Sequence, residues 1–227
     1  MYTYLLVNLL SLAYPLAQSF ERRLQLYRQW RALFPAIAIT GAFFIVWDVL
    51  FTSWGVWGFN PRYLSGINIG NLPLEEWLFF ITIPYACIFV YEVMNYFVKR
   101  DVLGKIARPL AIALGIALLV GGALAWGKWY TSTTALLAGA ALLLVAFSGQ
   151  SKWLGRFFIG YAVSLVPFLL VNGLLTGSFL DEPVVWYNDA ENLGIRLFTI
   201  PVEDTVYMLL LLLMNTAIYE RLKAISR

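Results

Sequence analysis

The sequence contains no histidine and only one cysteine, Cys87, among its 227 residues. Histidine is the commonest metal ligand and the usual proton carrier near neutral pH. A single cysteine excludes an internal disulfide and a cluster of thiolates around a metal. Acid–base chemistry therefore falls to Asp, Glu, Tyr, Lys or Cys, and we expect no metal site. The net charge of +3 gives no sign of a nucleic-acid partner.

Charged residues are also scarce, at 13% of the chain, whereas hydrophobic residues make up 61%. Soluble domains carry about 25% charged residues, and about 20 apolar residues suffice for a helix to cross a bilayer. The sequence thus predicts an all-α integral membrane protein with the lipid bilayer as its surroundings. We expect seven transmembrane helices, at residues 2–19, 33–52, 74–97, 108–126, 131–149, 157–177 and 200–219.

The basic residues lie mainly on one side of the predicted membrane. Thirteen of the 16 Lys and Arg fall in residues 20–32, 98–108 and 150–156 and at the C-terminal end. Positive charge is retained in cytoplasmic loops, so we expect a multi-pass protein of the cell membrane with its N-terminus outside and its C-terminus in the cytoplasm. The first apolar stretch precedes its positive charges, unlike a signal peptide.

The chain also repeats internally. In the register that aligns Pro73-Leu-Glu-Glu76 with Pro201-Val-Glu-Asp204, Tyr2-Thr3 meets Tyr130-Thr131. Three-helix repeats joined directly would be inverted, but one additional helix between them makes them parallel. We therefore expect two parallel three-helix repeats, 1–100 and 129–227, joined by a linking transmembrane helix within 101–128.

Four carboxylates follow the paired prolines: Glu75, Glu76, Glu203 and Asp204. Acids near membrane spans are costly and commonly functional. They could also simply stabilise the helix start, where negative charge complements the helix dipole. If the repeats bring the two helix starts together, the acids would share a cavity, where one carboxyl can act as an acid and its neighbour as a base.

Further polar residues accompany these acids. Asp48 interrupts an apolar run, and with a four-residue insertion it aligns with Asn172. Asn60 and Asn188 either hydrogen-bond the acids from the loops or cap turns. The Trp and Tyr residues of 54–63 and 186–187 are typical of membrane-interface anchors, and they could instead line a hydrophobic substrate channel.

Glu92 and Glu220 stand apart from these acids. Glu92 lies more than four helical turns beyond Glu75 in the same predicted helix, which is about 25 Å along its axis. We therefore expect both to lie at the cytoplasmic end, snorkelling or ion-paired.

The stretches Asn71-Leu-Pro-Leu-Glu-Glu-Trp77 and Ile200-Pro-Val-Glu-Asp-Thr205 resemble the lycopene cyclase domain. The resemblance covers nearly the whole chain and looks like the fused form of the heterodimeric cyclases. It implies a non-redox isomerase that closes β-ionone rings on lycopene and γ-carotene without a cofactor. We favour Glu75 and Glu203 as catalytic residues, because they hold equivalent positions after the paired prolines, with Glu76 and Asp204 beside them. The second copy differs at Asp204 and Thr205, so the halves need not be equivalent.

Other functions remain open on the sequence. Parallel 3+1+3 repeats also occur in small-solute transporters, although the chain contains no Pro-Gln dipeptide. A retinal-binding protein would need a lysine in 200–219, and none is present. A partner-binding membrane subunit and a homo-oligomer are both compatible with the sequence. The sequence has no Gly-x-Gly-x-x-Gly motif opening a strand–helix unit, which excludes the flavin-bound cyclase architecture.

Overall fold

The computed structural model describes residues 2–149 and 151–225. Arg227, one of the basic residues used to orient the chain, and Gln150, in a basic loop, lie outside the described residues. Within them the chain forms seven α-helices. In chain order these are α1 (Thr3–Gln18), α2 (Trp30–Ser53), α3 (Leu74–Phe97), α4 (Gly104–Leu124), α5 (Trp129–Phe147), α6 (Leu154–Leu175) and α7 (Val202–Ile225).

Six of the seven described helices, α2 to α7, are long and apolar enough to cross a membrane. The chain is therefore a multi-pass membrane protein. Helix α1 has 16 residues, which is about 24 Å of helix against about 30 Å of hydrocarbon. That residues 2–19 cross the membrane thus remains a prediction. A helix does form at each of the seven predicted places.

Helices α3 and α7 occupy the centre of the bundle and contact each other. Helix α1 packs on α3, and α5 packs on α7 in the same way. Helix α2 packs on α7, and α6 packs on α3. The linking helix α4 lies outside this group, against α5 and α6. The first turns of α3 and α7, which carry the paired acids, therefore begin close to the axis of the bundle.

The loops before α3 and α7 contain six short strands, which the sequence analysis did not predict. They are β1 (Trp57–Phe59), β2 (Asn68–Ile69), β3 (Leu72–Pro73), β4 (Val185–Tyr187), β5 (Arg196–Leu197) and β6 (Ile200–Pro201). Strands β2 and β3 form a hairpin that ends at Pro73, and β5 and β6 form another that ends at Pro201. The sequence register that aligns Pro73 with Pro201 thus also aligns the two hairpins.

Strands β1 and β4 join the two loops across the bundle. They pair antiparallel, with Gly58 opposite Trp186 at the middle of the register. A side chain at Gly58 would collide with the Trp186 indole, because an added Cβ would overlap its ring carbons. The glycine therefore permits the loops to close over the helix starts of α3 and α7.

Candidate functional site

The two acids of each pair point in different directions. Pro73 is extended, with φ −67° and ψ 151°, and α3 begins directly after it. Consecutive helical residues project about 100° apart, so Glu75 and Glu76 cannot occupy the same surroundings. The same holds for Glu203 and Asp204 at the start of α7.

Glu75 and Glu203 bind the loops that precede their own helices. Glu75 Oε1 accepts a hydrogen bond from the Ser65 N–H at 2.6 Å. Glu203 Oε1 accepts one at 2.8 Å from the N–H of Leu193, the residue that the repeat places opposite Ser65. The sequence analysis favoured these two acids as the catalytic pair. The structure instead places both outside the central cavity, where each holds a loop backbone.

Glu76 and Asp204 face a cavity of about 80 Å³ in the middle of the bundle, and Asp48 of α2 joins them there. The three carboxyl groups are almost completely buried, and Asp48 is 1% exposed. Side chains from both ends of the chain close the cavity. Its aromatic lining consists of Tyr4, Trp57, Phe59, Phe79, Tyr130, Phe168, Tyr187 and Tyr207.

Asp48 and Glu76 form the first part of the acid cluster. Their carboxyl groups interact directly. Asp48 Oδ1 accepts a hydrogen bond from the Trp57 indole N–H and a longer one of 3.3 Å from the Thr52 hydroxyl. Glu76 Oε2 accepts a hydrogen bond of 2.5 Å from the Tyr4 hydroxyl. Two acids thus lie in contact, and each receives hydrogen bonds on one oxygen.

Asp204 forms the second part and has more donors. Its Oδ1 accepts from the Tyr130 hydroxyl. Its Oδ2 accepts from the Asn172 amide at 2.6 Å and from the Tyr187 hydroxyl at 3.0 Å. Burial raises the pKa of the Tyr187 phenol well above its usual value, and the neighbouring Asp204 raises it further. Tyr187 therefore remains a protonated donor, and the three hydrogen bonds favour the ionised form of Asp204.

The asparagines predicted from the sequence separate into two groups. Asn172 lies in the cavity and, like Asp48, faces the acids, as the alignment with a four-residue insertion suggested. Asn60 Oδ1 accepts from the Arg62 N–H, and its amide donates to Glu182 at 2.8 Å. Asn188 Oδ1 accepts from the Ala190 N–H. Asn60 and Asn188 therefore cap turns and do not hydrogen-bond the acids.

Comparison with known proteins assigns a family to this arrangement. A family model of lycopene cyclases matches residues 1–94 and 127–222. The chain belongs to the lycopene cyclase family. The match omits the whole of the linking helix α4, which lies between its two segments. No curated protein and no solved structure matches the chain. None of the comparisons supports the small-solute transporter alternative.

Sequence reasoning missed two tyrosines of this site. Tyr4 contacts Glu76 and Tyr130 contacts Asp204, which makes Tyr4 the counterpart of Tyr130. The alignment had placed Tyr2 opposite Tyr130, because a single register along the whole chain ignores the different lengths of the loops. A tyrosine in the first turn of both α1 and α5 was the available signal.

Trp57 and Tyr187 were interpreted first as membrane-interface anchors. In the structure both line the cavity and hydrogen-bond its acids. The pairing of β1 with β4 explains this, since Trp57 lies directly opposite Tyr187 in the register. The alternative that the sequence left open, that they line a hydrophobic substrate channel, remains a prediction.

Glu92 and Glu220 lie at the far ends of α3 and α7, away from the acid cavity. Glu92 pairs with Lys223 at 2.5 Å, so of the two alternatives predicted for it, snorkelling or ion pairing, the structure shows the ion pair. The Tyr219 hydroxyl donates to Glu92 and the Tyr91 hydroxyl donates to Glu220. These reciprocal bonds join the two central helices, α3 and α7, at the end opposite the acids.

Proposed function

We propose that the chain is a lycopene β-cyclase, which closes β-ionone rings on linear carotenoid ends by acid–base chemistry. One observation carries the proposal: Asp48, Glu76 and Asp204 meet in a buried, aromatic cavity in a chain of the lycopene cyclase family. A carbocation reaction needs a proton donor, a proton acceptor and surroundings that keep water away. This cavity supplies groups for each of these needs.

The reaction is an isomerisation with no change in redox state. A proton adds to the terminal double bond of the carotenoid and leaves a tertiary cation. The neighbouring double bond attacks that cation and forms the six-membered ring, with the charge now on a ring carbon. Loss of a proton from the carbon next to it gives the ring double bond. One proton enters and one leaves, so the product has the same composition as the substrate.

The contacting pair Asp48 and Glu76 is the proposed proton donor. Two carboxylates in contact and away from water cannot both be ionised, and such a pair holds one proton. The proton belongs to the pair, so the assignment is to both residues together. The Tyr4 and Trp57 donors occupy one oxygen of each acid and orient the pair towards the cavity.

Asp204 is the proposed counter-charge and proton acceptor. Its three donors favour its ionised form, and a carboxylate within the cavity would stabilise the cation that forms there. Aromatic faces attract cations, with a contribution of about 0.5–2 kcal/mol for each contact. Tyr207 and Trp57 have adjacent rings in the cavity wall, with centroids 6.2 Å apart, and suit this role. The abstracted proton must then return to the donor pair before the next cycle.

The organisation of the chain in the membrane belongs to the same proposal. We infer two parallel repeats, 1–100 and 129–227, related by an axis along the membrane normal that passes near the Gly58–Trp186 pair. The hairpins β2–β3 and β5–β6 at matching positions support this arrangement. We place the acid cavity towards the outer face of the cell membrane and the Glu92–Lys223 pair towards the cytoplasm, following the distribution of basic residues.

Conversion of lycopene tests the proposal directly. The gene is expressed in a host that accumulates lycopene, and the extracted carotenoids are separated by chromatography. We expect γ-carotene or β-carotene in cells with the gene and lycopene alone in cells with an empty vector. Purified protein in detergent should continue to form rings without added flavin or nicotinamide. Unchanged lycopene, with the protein present in the membrane, would reject the proposed activity.

A further inference from the structure

A second cavity opens towards the lipid between α1 and α6. It has a volume of about 430 Å³, within the range of about 300–1,000 Å³ usual for small-molecule sites. Helix α3 forms its floor through Ala86 and Val90, and no charged side chain lines it among the residues the structure describes. Leu10 and Tyr14, at its edge on α1, are 72% and 67% exposed. We refer to this space as the α1–α6 groove.

The α1–α6 groove adjoins the acid cavity. Phe79, Ile83, Phe168, Asn172 and Met208 line both spaces. The Asn172 side chain marks the junction, because its amide donates to Asp204 at 2.6 Å while the residue also lines the groove. The inner end of a long apolar molecule in the groove would therefore lie beside the acid cavity.

In the part of the chain that the structure describes, larger side chains stand at the corresponding positions of the other half of the bundle. The alignment that places Asp48 opposite Asn172 also places Trp47 opposite Val171 of the groove. The register of the paired prolines places Met214 opposite Ala86. Trp47 is 6% exposed and packs on Tyr207, with ring centroids 5.2 Å apart. Larger side chains thus fill the space in one half that remains open in the other.

We propose that the α1–α6 groove binds the polyene chain of the carotenoid, which enters sideways from the bilayer and places one end group in the acid cavity. The proposal rests on the proposed cyclase function and adds its substrate-binding site. The groove is uncharged and apolar, opens to lipid and closes at the acids, which fits a long hydrocarbon. Because the equivalent space is filled, the chain has one binding site and processes one carotenoid end at a time.

Filling the groove tests the assignment. The series Ala86→Val, Ala86→Leu and Ala86→Phe narrows it from the floor, and Val171→Phe narrows it from the opposite wall. All are made in a Glu76→Gln background, so that bound lycopene is retained unreacted. We measure lycopene per mole of purified, monodisperse protein after expression in a lycopene-producing host. The retained lycopene should fall progressively along the Ala86 series, by about tenfold for phenylalanine, equivalent to about 1.4 kcal/mol.

The matched control is Ala113→Phe on the lipid-facing surface of α4, where Ala113 is exposed. It should retain lycopene like the parent protein. The groove assignment would be overturned if equal amounts of lycopene were retained by the Ala113 variant, the Val171 variant and every member of the Ala86 series. Ring formation by the chain with Glu76 intact is measured separately. If that chain forms no rings but lycopene retention still follows groove size, the binding site stands and the proposed reaction fails.

Discussion

At the residue scale, adjacent carboxyl groups have different surroundings. Glu75 binds a loop N–H, whereas Glu76 faces a cavity that also contains Asp48 and Asp204. The sequence identifies both acids but cannot distinguish them, since a rotation of about 100° matters only once neighbouring helices are in place. The first acid of each pair thus supports the loop over the site, and we assign the chemistry to the second.

The hydroxyl of Tyr130 gives a prediction at this scale. Tyr130→Phe removes one of the three hydrogen bonds to Asp204. A hydrogen bond to a charged group contributes about 1.5–3 kcal/mol, so the turnover rate on lycopene should fall roughly 10-fold to 100-fold. Tyr161→Phe is the control, because its hydroxyl donates to the Thr205 carbonyl at 2.9 Å, away from the acids. If Tyr130→Phe converts lycopene at the parent rate, the reaction does not depend on the hydrogen bond from Tyr130 to Asp204, and this prediction is wrong.

At the element scale, the helices were predictable but their ends were less so. Helix α3 begins and ends where predicted, at Leu74 and Phe97. Helix α7 continues to Ile225, beyond the predicted residue 219. Charged residues begin directly after residue 219. Hydropathy therefore places the end of the apolar run there, although the helix itself continues. The short strands were not predictable, because strands of two or three residues leave no alternating pattern to detect.

The contact between α4 and α5 gives a prediction at this scale. Small residues let membrane helices approach closely, and a Cβ at Gly139 would lie 2.7 Å from the Gly115 carbonyl oxygen. Backbone atoms cannot move aside cheaply, so Gly139→Ala should destabilise the protein by about 1–3 kcal/mol. We expect a lower thermal transition in detergent. Gly121→Ala, with no neighbouring atom within 4 Å, should retain the parent transition, and equal transitions would contradict this packing.

At the scale of the whole molecule, the site exists only after the two halves of the chain come together. Asp48 and Glu76 come from the first half, whereas Asp204 and Asn172 come from the second. The repeat in the sequence predicted that the helix starts of α3 and α7 would meet. It could not predict Tyr4 and Tyr130 at the site, nor the β1–β4 pairing that brings Trp57 beside Tyr187.

Orientation in the membrane is a prediction for the whole molecule. Thirteen of the 16 basic residues fall in segments that the predicted topology places on the same side as the C-terminal end, and positive loops remain in the cytoplasm. A reporter protein that is active only in the cytoplasm should therefore be active when it is fused after Arg227. A fusion with a reporter that requires export should be silent. The reverse pattern of activity would show that the acid cavity lies towards the cytoplasm.

The central claim is that Glu76, not its neighbour Glu75, belongs to the catalytic acid cluster. Glu76→Gln and Glu75→Gln are matched changes at consecutive positions, and each retains size and hydrogen-bonding groups while removing the ionisable proton. The measurement is the rate of ring formation on lycopene by equal amounts of purified protein. General acid–base catalysis contributes about 10²–10⁴-fold, so Glu76→Gln should lose that factor. Glu75→Gln, which can still accept from the Ser65 N–H, should remain within a few-fold of the parent. Loss of activity in Glu75→Gln with a nearly normal Glu76→Gln would contradict the account.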